Sequence, residues 1–262
     1  MEQLMSRAEQ VVAMIRAQCS TKAPEATVLK SSTIECTRCN DTEWIRNTET
    51  GDFSVCPCQS MKQARRLLEA SGISEAFQAK TVNDYRPANE QQRQARAAAS
   101  QYILEFDAIR KTRNNSICFL GQPGAGKTHL SIAIANALMK RNIGVRYVQY
   151  REVMTELMQV RFDEADYRRK IAPLKSCSVL LLDDLFKGAV RRDGSIGQEG
   201  TIMFEVINHR YLAGMPMLVS SEYTVERLVE FDEAVATRIA EMAKGRITEF
   251  RGKELNYRMS NN

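Results

Sequence analysis

The segment SICFLGQPGAGKTHL, residues 116–130, decides the fold of this chain. It matches G-x-x-x-x-G-K-[ST] at every fixed position, between a short apolar run and a segment with helical periodicity. Glycines in such a loop let backbone N–H groups turn toward phosphate oxygens at the positive N-terminus of the next helix. We therefore predict a phosphate-binding loop, formed by Gly121, Gln122, Pro123, Gly124, Ala125, Gly126, Lys127 and Thr128.

This loop and a second, acidic motif predict a nucleotide site with Mg²⁺. Lys127 is expected to reach the β- and γ-phosphates, and the Thr128 hydroxyl is expected to bind the ion. The run SVLLLDD ends in Asp183 and Asp184, and a carboxylate at such a strand end lies beside Mg²⁺. We predict that Asp183 holds the ion through water and that Asp184 deprotonates the attacking water. No Asn-Lys-x-Asp guanine-reading element occurs in the sequence, which favours ATP.

Two more polar residues are candidates for the same site. Ser221, next to Ser220 in MPMLVSSEYT, ends an apolar run and is predicted to sense the γ-phosphate. The alternative is a serine that caps the following helix, VERLVEF. Arg238 lies off the apolar stripe of the helix DEAVATRIAEMAKGR, and the pattern alone leaves it either a surface arginine or a functional one.

Composition limits the classes of protein to consider. The 262 residues suffice for one large and one small domain, and no apolar run approaches the roughly 20 residues that span a bilayer. Seven cysteines without a secretory signal indicate a reducing compartment, so we expect a cytoplasmic protein. The net charge of +5 divides into −2 for residues 1–60 and +7 for residues 61–262, which is compatible with nucleic acid binding.

A group of four cysteines predicts a metal site near the N-terminus. Two close pairs, in CTRC and CPC, are separated by a segment that alternates and turns like a small zinc-ribbon hairpin. The second pair is C-x-C rather than C-x-x-C, and the alternative is four thiols in a flexible segment. We predict one structural Zn²⁺, bound by Cys36, Cys39, Cys56 and Cys58.

The remaining pattern indicates an α/β fold. Apolar runs near 116–120, 145–150, 178–183 and 216–221 alternate with helical segments, which predicts a parallel sheet with helices on both faces. A long helix from about residue 88 precedes them, with one face formed by Ala95, Ala99, Tyr102, Phe106 and Ile109. We predict three parts: an N-terminal helix in residues 1–20, a zinc module with a basic helix in 36–70, and a nucleotide-binding domain in 71–262.

The order of these motifs resembles one family. Phosphate loop, Asp-Asp, INHRYLAGMPMLVSSEYT, an arginine-bearing helix and the tail GKELNYR are similar to AAA+ ATPases of the bacterial replicative-helicase loader family, the DnaC/DnaI type of phages and prophages. The resemblance covers roughly residues 70–260. It implies an AAA+ domain and slow, partner-dependent ATP hydrolysis. The chain ends 24 residues after Arg238, so we expect no C-terminal helical lid domain.

The resemblance also implies partners. Such loaders hold a hexameric replicative helicase through the N-terminal region, and single-stranded DNA through the AAA+ domain. The helix at 2–18 would contact the helicase or, alternatively, pack on the zinc module. Arg238 would act in trans on a neighbouring subunit of a homo-oligomer. Two basic clusters would contact DNA, unless they are ordinary surface charge: Arg161, Arg168, Arg169 and Lys170, then Lys187, Arg191 and Arg192.

Two other functions fit the same motifs. A transposition helper ATPase has a similar AAA+ core and would bind duplex DNA and a transposase. A zinc adaptor that uses ATP without hydrolysing it is the third possibility. The cysteine group and the acidic N-terminal part favour the helicase loader.

Overall fold

A computed structural model of the chain describes residues 36–46, 51–56, 58–59, 62, 73–190, 196–252 and 255. The chain divides after Cys56 into two compact units, residues 1–56 and 57–262. The helix predicted within residues 1–20 and nearly all of the predicted basic helix lie outside the described residues. The finer division into 1–20, 36–70 and 71–262 stays a prediction.

The first unit contains a two-stranded antiparallel hairpin. Strand β1 covers Trp44–Arg46 and strand β2 covers Phe53–Val55, with Trp44 opposite Val55 and Arg46 opposite Phe53. Partners in such a register lie on the same face, so these four side chains share one exposed face of the hairpin. A two-stranded hairpin alone is only marginally stable in water, so this hairpin depends on something besides the packing of these side chains.

The second unit is a parallel sheet with helices. Its strands are β3 (Ile117–Gly121), β4 (Val145–Gln149), β5 (Val179–Asp183), β6 (Met217–Ser221) and β7 (Ile247–Phe250). Its α-helices are α1 (Glu75–Gln78), α2 (Glu90–Ile109), α3 (Lys127–Lys140), α4 (Tyr150–Val160), α5 (Glu164–Ser176), α6 (Gln198–Leu212), α7 (Val225–Phe231) and α8 (Glu233–Met242). A short 3₁₀ helix covers Val82–Asp84.

The strand order is β4-β5-β6-β3-β7, and every neighbouring pair is parallel. The central strands β3, β5 and β6 are buried at every position. Because all strands run the same way, their carboxyl ends meet at one edge, which carries the phosphate loop after β3 and Asp183 at the end of β5. The predicted parallel sheet is confirmed.

Alternate residues of each central strand enter two separate cores, one on each face of the sheet. Ile117 and Phe119 pack with α2 and α3, whereas Cys118 and Leu120 pack with α4, α5, α6 and α8. Helices on both faces explain why these strands are apolar at every position rather than at every second one. The predicted buried face of α2 is also confirmed for Ala95, Ala99, Tyr102 and Phe106.

Strand β7 was not predicted, although it completes the sheet. It pairs with β3 on the side opposite β6, so the strand that precedes the phosphate loop is not at an edge. The sequence ITEF is short and only Phe250 is fully buried, so its apolar pattern is weak. The segment is a strand because it pairs with β3, and not because its local sequence strongly favours one.

Arg210, on α6, is a fully buried arginine that joins two elements. Its guanidinium donates to the carbonyl oxygens of Leu174 and Cys177 at 3.0 and 2.9 Å, near the C-terminus of α5. It also donates to the Pro216 carbonyl at 2.8 Å, just before β6. The positive charge therefore meets the negative end of a helix and the carbonyl that precedes β6.

Candidate nucleotide site

The phosphate loop has the backbone that its glycines predict. Gly121, Gly124 and Gly126 have φ of 94°, 79° and 88°, in the region that favours glycine. Gly126 precedes the first residue of α3, Lys127, so the loop opens directly onto a helix N-terminus. Such a loop presents its backbone N–H groups and the positive helix end to an anion.

Two distant residues fix this loop in place, and the sequence did not point to either. A Cβ on Gly121 would lie 2.4 Å from the Phe250 carbonyl oxygen, and one on Gly126 would lie 2.4 Å from the Tyr85 ring. Tyr85 also donates through its hydroxyl to the Ala125 carbonyl at 2.7 Å. Both glycines therefore permit a close approach that any side chain would prevent.

Lys127 has a buried ammonium group inside the loop. It donates to the carbonyl oxygens of Gly121 and Gln122 at 2.7 and 2.9 Å. Burial lowers the pKa of Lys127 to about 8, although Asp184, Glu222 and Asp183 partly offset this effect. A phosphate would supply the anion that this buried cation lacks at contact distance.

Thr128 and Asp183 lie together, as expected of a Mg²⁺ site. The Thr128 hydroxyl donates to the two carboxylate oxygens of Asp183, at 2.9 and 3.1 Å. Tyr147 donates to the same carboxylate at 3.2 Å, and Ser220 donates to it as well. Burial raises the pKa of Asp183, while these hydrogen bonds oppose the shift. A hydroxyl beside a buried carboxylate at a P-loop fits hard, oxygen-ligated Mg²⁺.

Asp184 lies at the same edge in a constrained conformation. Its φ is 56°, in the left-handed region, and its backbone N–H donates to the Ser220 hydroxyl at 3.0 Å. Lys187 pairs with its carboxylate at 2.9 Å and with Glu222 at 2.7 Å. The sequence did not identify Glu222, because a single acid after a strand carries no signal of its own.

Ser221 occupies a different position from the predicted phosphate sensor. Its hydroxyl is fully buried, donates to the Leu185 carbonyl at 2.8 Å and accepts from the Tyr223 N–H at 3.3 Å. The serine that contacts the site is Ser220, because alternate residues of β6 face opposite sides of the sheet. Neither serine caps α7, whose N-cap is Thr224.

Arg238 contacts its own chain. Its guanidinium donates to the Asn208 side chain at 2.9 Å and to the Ala234 carbonyl at 2.7 Å. It also lies over the rings of Phe204 and Tyr211, at 5.0 and 5.5 Å from their centroids. The sequence predicted a side chain able to point away from its own core. The structure instead packs the Arg238 guanidinium against side chains of α6, where the faces of Phe204 and Tyr211 attract a cation.

The first predicted DNA cluster lies on the helical pair α4–α5 between β4 and β5. The three cations of this cluster that lie on α5 each pair with a nearby acid. The pairs are Arg168 with Glu164, Arg169 with Asp166 at 2.9 Å, and Lys170 with Glu156 of α4 at 2.7 Å. Beside them Phe162 is 86% exposed, with the Arg161 guanidinium 4.2 Å from its ring centroid. An exposed aromatic among cations suits stacking of a nucleic acid base, and the sequence pattern did not single out Phe162.

The second predicted DNA cluster is only partly described. Lys187 lies with Asp184 and Glu222 at the carboxyl edge of the sheet, which differs from the DNA contact predicted for it. Two acids within ion-pair distance attract its ammonium more directly than a distant polyanion does. Arg191 and Arg192 lie outside the described residues.

The four predicted zinc ligands come together. The sulfur atoms of Cys36, Cys39, Cys56 and Cys58 all lie within 4.8 Å of one another, and Cys36 and Cys56 are 3.8 Å apart. Thiolates about 2.3 Å from a tetrahedral Zn²⁺ would be separated by about 3.8 Å. After the first pair, Asn40 and Asp41 have positive φ, so the chain turns tightly into β1. The arrangement fits a structural Zn²⁺.

Loop, Thr–Asp pair and parallel sheet together define a P-loop nucleotide-binding protein. Comparison with known proteins shows which family of this class the chain belongs to. The family model described as IstB-like ATP binding protein matches residues 38–241. The phage-like element PBSX protein XkdC of Bacillus subtilis (strain 168) is 36% identical over 236 residues, which are 87% of this chain and 88% of that protein.

Helicase loaders are among the similar proteins. The replicative helicase loader DnaC of Escherichia coli (strain K12) is 30% identical over 122 residues, 46% of this chain and 48% of that protein. The crystal structure of the DnaC helicase loader has a TM-score of 0.58 at 19% identity, covering 68% of this chain and 100% of that one. The chain belongs to the IstB/DnaC-like AAA+ family of ATP-binding proteins. No helix among its described residues is long and apolar enough to cross a bilayer.

Proposed function

We propose that this protein is an ATP-dependent loader that places a replicative ring helicase on single-stranded DNA at the start of DNA replication. The observation that carries the proposal is the Thr128–Asp183 pair beside Asp184, at the mouth of a complete phosphate loop. Similarity to the helicase loader DnaC supports the choice of partner. ATP binding and hydrolysis would time assembly and release rather than make a product.

The residues of the site divide the work of hydrolysis. Loop N–H groups and Lys127 would hold the phosphates, and Thr128 and Asp183 would hold Mg²⁺, which would supply positive charge to neutralise the phosphates. Asp184 accepts a proton from water as the water oxygen bonds to the γ-phosphorus. The bond from that phosphorus to the β–γ bridging oxygen breaks, and ADP and phosphate leave. Asp184 is a short base in a left-handed conformation, which fits slow turnover that a partner stimulates.

Partner contacts use the other features. The pair α4–α5 supplies the DNA surface, with cations for the backbone and Phe162 for a base. Self-assembly through the AAA+ domain would bring Arg238 to a neighbouring site. The cysteine group, with Zn²⁺, would supply the folding free energy that the small first unit lacks. We propose that the protein acts in the cytoplasm, where its helicase and DNA are found.

A loading assay tests this function. Purified protein, Mg²⁺–ATP and the hexameric helicase of the same cell are mixed with a DNA circle coated by single-strand-binding protein, and unwinding of an annealed oligonucleotide is measured. We expect unwinding to require this protein, and Lys127→Ala to abolish it. Unwinding that is equal with and without the wild-type protein would exclude a loader.

A transposition helper is the second candidate, because the matching family is described as IstB-like. It would bind duplex DNA and a transposase. Affinity capture of the tagged chain from its native cell distinguishes the two, since a hexameric helicase supports the loader and a transposase supports the helper.

A further inference from the structure

Five charged groups gather at the carboxyl edge of the sheet, and two of them have no role in the site described above. Asp183 and Asp184 end β5, Glu222 directly follows β6, and Lys127 and Lys187 lie among them. All three acids attract Lys127, while Lys187 repels it, so the five groups share one small region. Lys187 and Glu222 are the two without a role.

Lys187 connects the two acids that it contacts. Its ammonium lies 2.9 Å from Asp184 Oδ2 and 2.7 Å from a carboxylate oxygen of Glu222. The backbone N–H of Lys187 also donates to the Asp184 carbonyl at 3.0 Å, which closes a tight turn. Partial burial lowers the pKa of Lys187, but hydrogen bonds to Glu222 and Asp184 outweigh it and raise that pKa. Lys187 therefore stays a cation at neutral pH.

Several contacts hold Asp184 in place. Its backbone is in the left-handed region, which is uncommon for a non-glycine residue although aspartate adopts it more readily than most. The Ser220 hydroxyl fixes its N–H, and Lys187 fixes one carboxylate oxygen. Because the ion pair uses Oδ2, a water can be held by Oδ1. Glu222, on the neighbouring strand's end, in turn anchors Lys187 to the sheet.

We propose that Lys187 and Glu222 form a positioning pair, in which Glu222 anchors Lys187 and Lys187 orients Asp184 for the attacking water. The inference rests on the proposed ATP hydrolysis and adds two residues to it. It assigns Lys187 to the carboxyl edge of the sheet, beside the proposed base, and Glu222 to the support of Lys187. Neither residue touches the reacting atoms in this assignment.

Steady-state kinetics of five variants test the pair. Misplacing a base by about 1 Å can cost roughly 100-fold, so we expect Lys187→Met to lower kcat by about 10- to 100-fold. Binding of a fluorescent ATP analogue should change by less than about threefold, because the phosphate loop is intact. Lys187→Arg keeps a cation and should retain more of kcat. Glu222→Gln should lower kcat less than Lys187→Met does.

The double variant distinguishes a pair from two independent residues. If Glu222 acts only through Lys187, the Lys187→Met/Glu222→Gln enzyme has the kcat of Lys187→Met alone. Lys175→Met is the matched control, because Lys175 pairs with Glu205 at 2.6 Å away from the site and should leave kcat unchanged. Circular dichroism confirms that each variant is folded.

Several results would overturn the inference. One is an unchanged or increased kcat for Lys187→Met. Another is a double variant whose loss of kcat equals the product of the two single losses. The third is a loss of affinity for the ATP analogue that is large enough to explain the whole loss of activity. Loss of DNA binding with unchanged kcat would return Lys187 to the DNA surface. No hydrolysis by the wild-type chain, with helicase and single-stranded DNA present, would instead reject the proposed ATPase function and the pair with it.

Discussion

Lys127 and Arg210 are both buried cations, but their surroundings differ. Lys127 has two backbone carbonyls and a lowered pKa, so its charge is not fully compensated in the unliganded chain. Arg210 donates to carbonyls of two segments, the end of α5 and the residue before β6, although burial lowers its pKa as well. Lys127 is therefore suited to bind a ligand, and Arg210 to hold the fold.

Replacing Lys127 should abolish nucleotide binding without lowering the stability of the nucleotide-free protein. We expect Lys127→Met to lose the increase in Tm that Mg²⁺–ATP gives the wild type. Without nucleotide the variant should be no less stable, because it no longer buries an ammonium, a cost of at most roughly 3 kcal/mol. Differential scanning calorimetry with and without Mg²⁺–ATP measures both effects.

The lowered pKa of Lys127 also predicts how stability depends on pH, and Lys127→Met serves as the reference. The Lys127 pKa is about 8 in the fold and near 10.5 in the unfolded chain, so the unfolded state binds more protons between these values. Stability of the unliganded wild type should then rise with pH over this range, relative to Lys127→Met. Tyrosines titrate in both proteins, so the difference isolates Lys127. Parallel curves for the two proteins would contradict the lowered pKa.

Arg210 should be among the residues to which stability is most sensitive. Arg210→Met removes the hydrogen bonds from the guanidinium to the Leu174, Cys177 and Pro216 carbonyls, and each hydrogen bond of a charged group is worth about 1.5–3 kcal/mol. We expect a loss of roughly 3–5 kcal/mol, measured by urea unfolding. Arg227→Met is the control, because Arg227 is exposed, pairs with Glu230 and lies 5.0 Å from the Phe231 ring centroid, so it should change stability by less than about 1 kcal/mol. Equal effects of the two variants would show that Arg210 is not structural.

At the scale of elements, the β1–β2 hairpin should depend on metal. Cys36→Ser/Cys39→Ser is expected to lose one Zn²⁺ per chain, because two of four ligands are gone. Trp44, the one tryptophan in the sequence, lies on β1, so its fluorescence reports unfolding of the hairpin. Cys177→Ser, outside the cysteine group, is the control and should keep the ion. Elemental analysis that finds no zinc in wild type prepared without chelator would remove the site.

The α4–α5 pair should bind single-stranded DNA in two separable ways. Replacing Arg168, Arg169 and Lys170 by Gln should reduce the salt slope of binding, by up to about 0.7 per lost phosphate contact. Phe162→Ala should weaken binding by about 1–3 kcal/mol, through lost stacking, with the slope unchanged. Fluorescence anisotropy over a salt series measures both.

Arg93→Gln gives the matched control for this surface. Arg93 is exposed and paired with Glu90 on α2, much as Arg169 is paired on α5. It should change neither affinity nor slope. If the triple variant behaves like Arg93→Gln, the cluster is ordinary surface charge.

The sequence predicted elements whose signal is local, and it missed contacts between distant ones. Continuous apolar runs identified β3, β5 and β6, and the loop motif identified Lys127 and Thr128. Tyr85 approaches Gly126 only after folding, 41 positions along the chain, so no short pattern reveals it. Arg210, Glu222 and β7 were missed for the same reason, since their partners are set by the sheet order.

For the whole molecule, the open question is whether Arg238 acts between subunits. We predict that Arg238→Ala binds ATP normally but hydrolyses it at least 100-fold more slowly, since such an arginine contributes about 10³–10⁵ in rate. To act in trans, the Arg238 side chain must leave Asn208, Phe204 and Tyr211 and reach the site of a neighbouring subunit. Because this requires self-assembly, the rate of hydrolysis per chain should rise with protein concentration. Initial rates over a dilution series measure this.

Mixing variants tests the same arginine directly. Arg238→Ala combined with Lys127→Ala should recover some activity, because a mixed interface has one intact loop and one intact arginine. A mixture that co-assembles and remains inactive would contradict action in trans. So would equal specific activity in dilute and concentrated protein.

The position of β7 has a consequence for synthesis of the protein. Strand β3 pairs with β6 and β7, which follow it by about a hundred residues or more, and the Phe250 carbonyl accepts from the Gln122 N–H of the loop. At roughly 5–20 residues per second, a ribosome needs on the order of ten seconds to reach β7 after it has made the loop. For most of that time the nascent loop lacks both neighbouring strands, and after β6 is made it still lacks β7. We therefore expect nucleotide to bind only after β7 has been made, so that a shorter nascent chain cannot take up ATP.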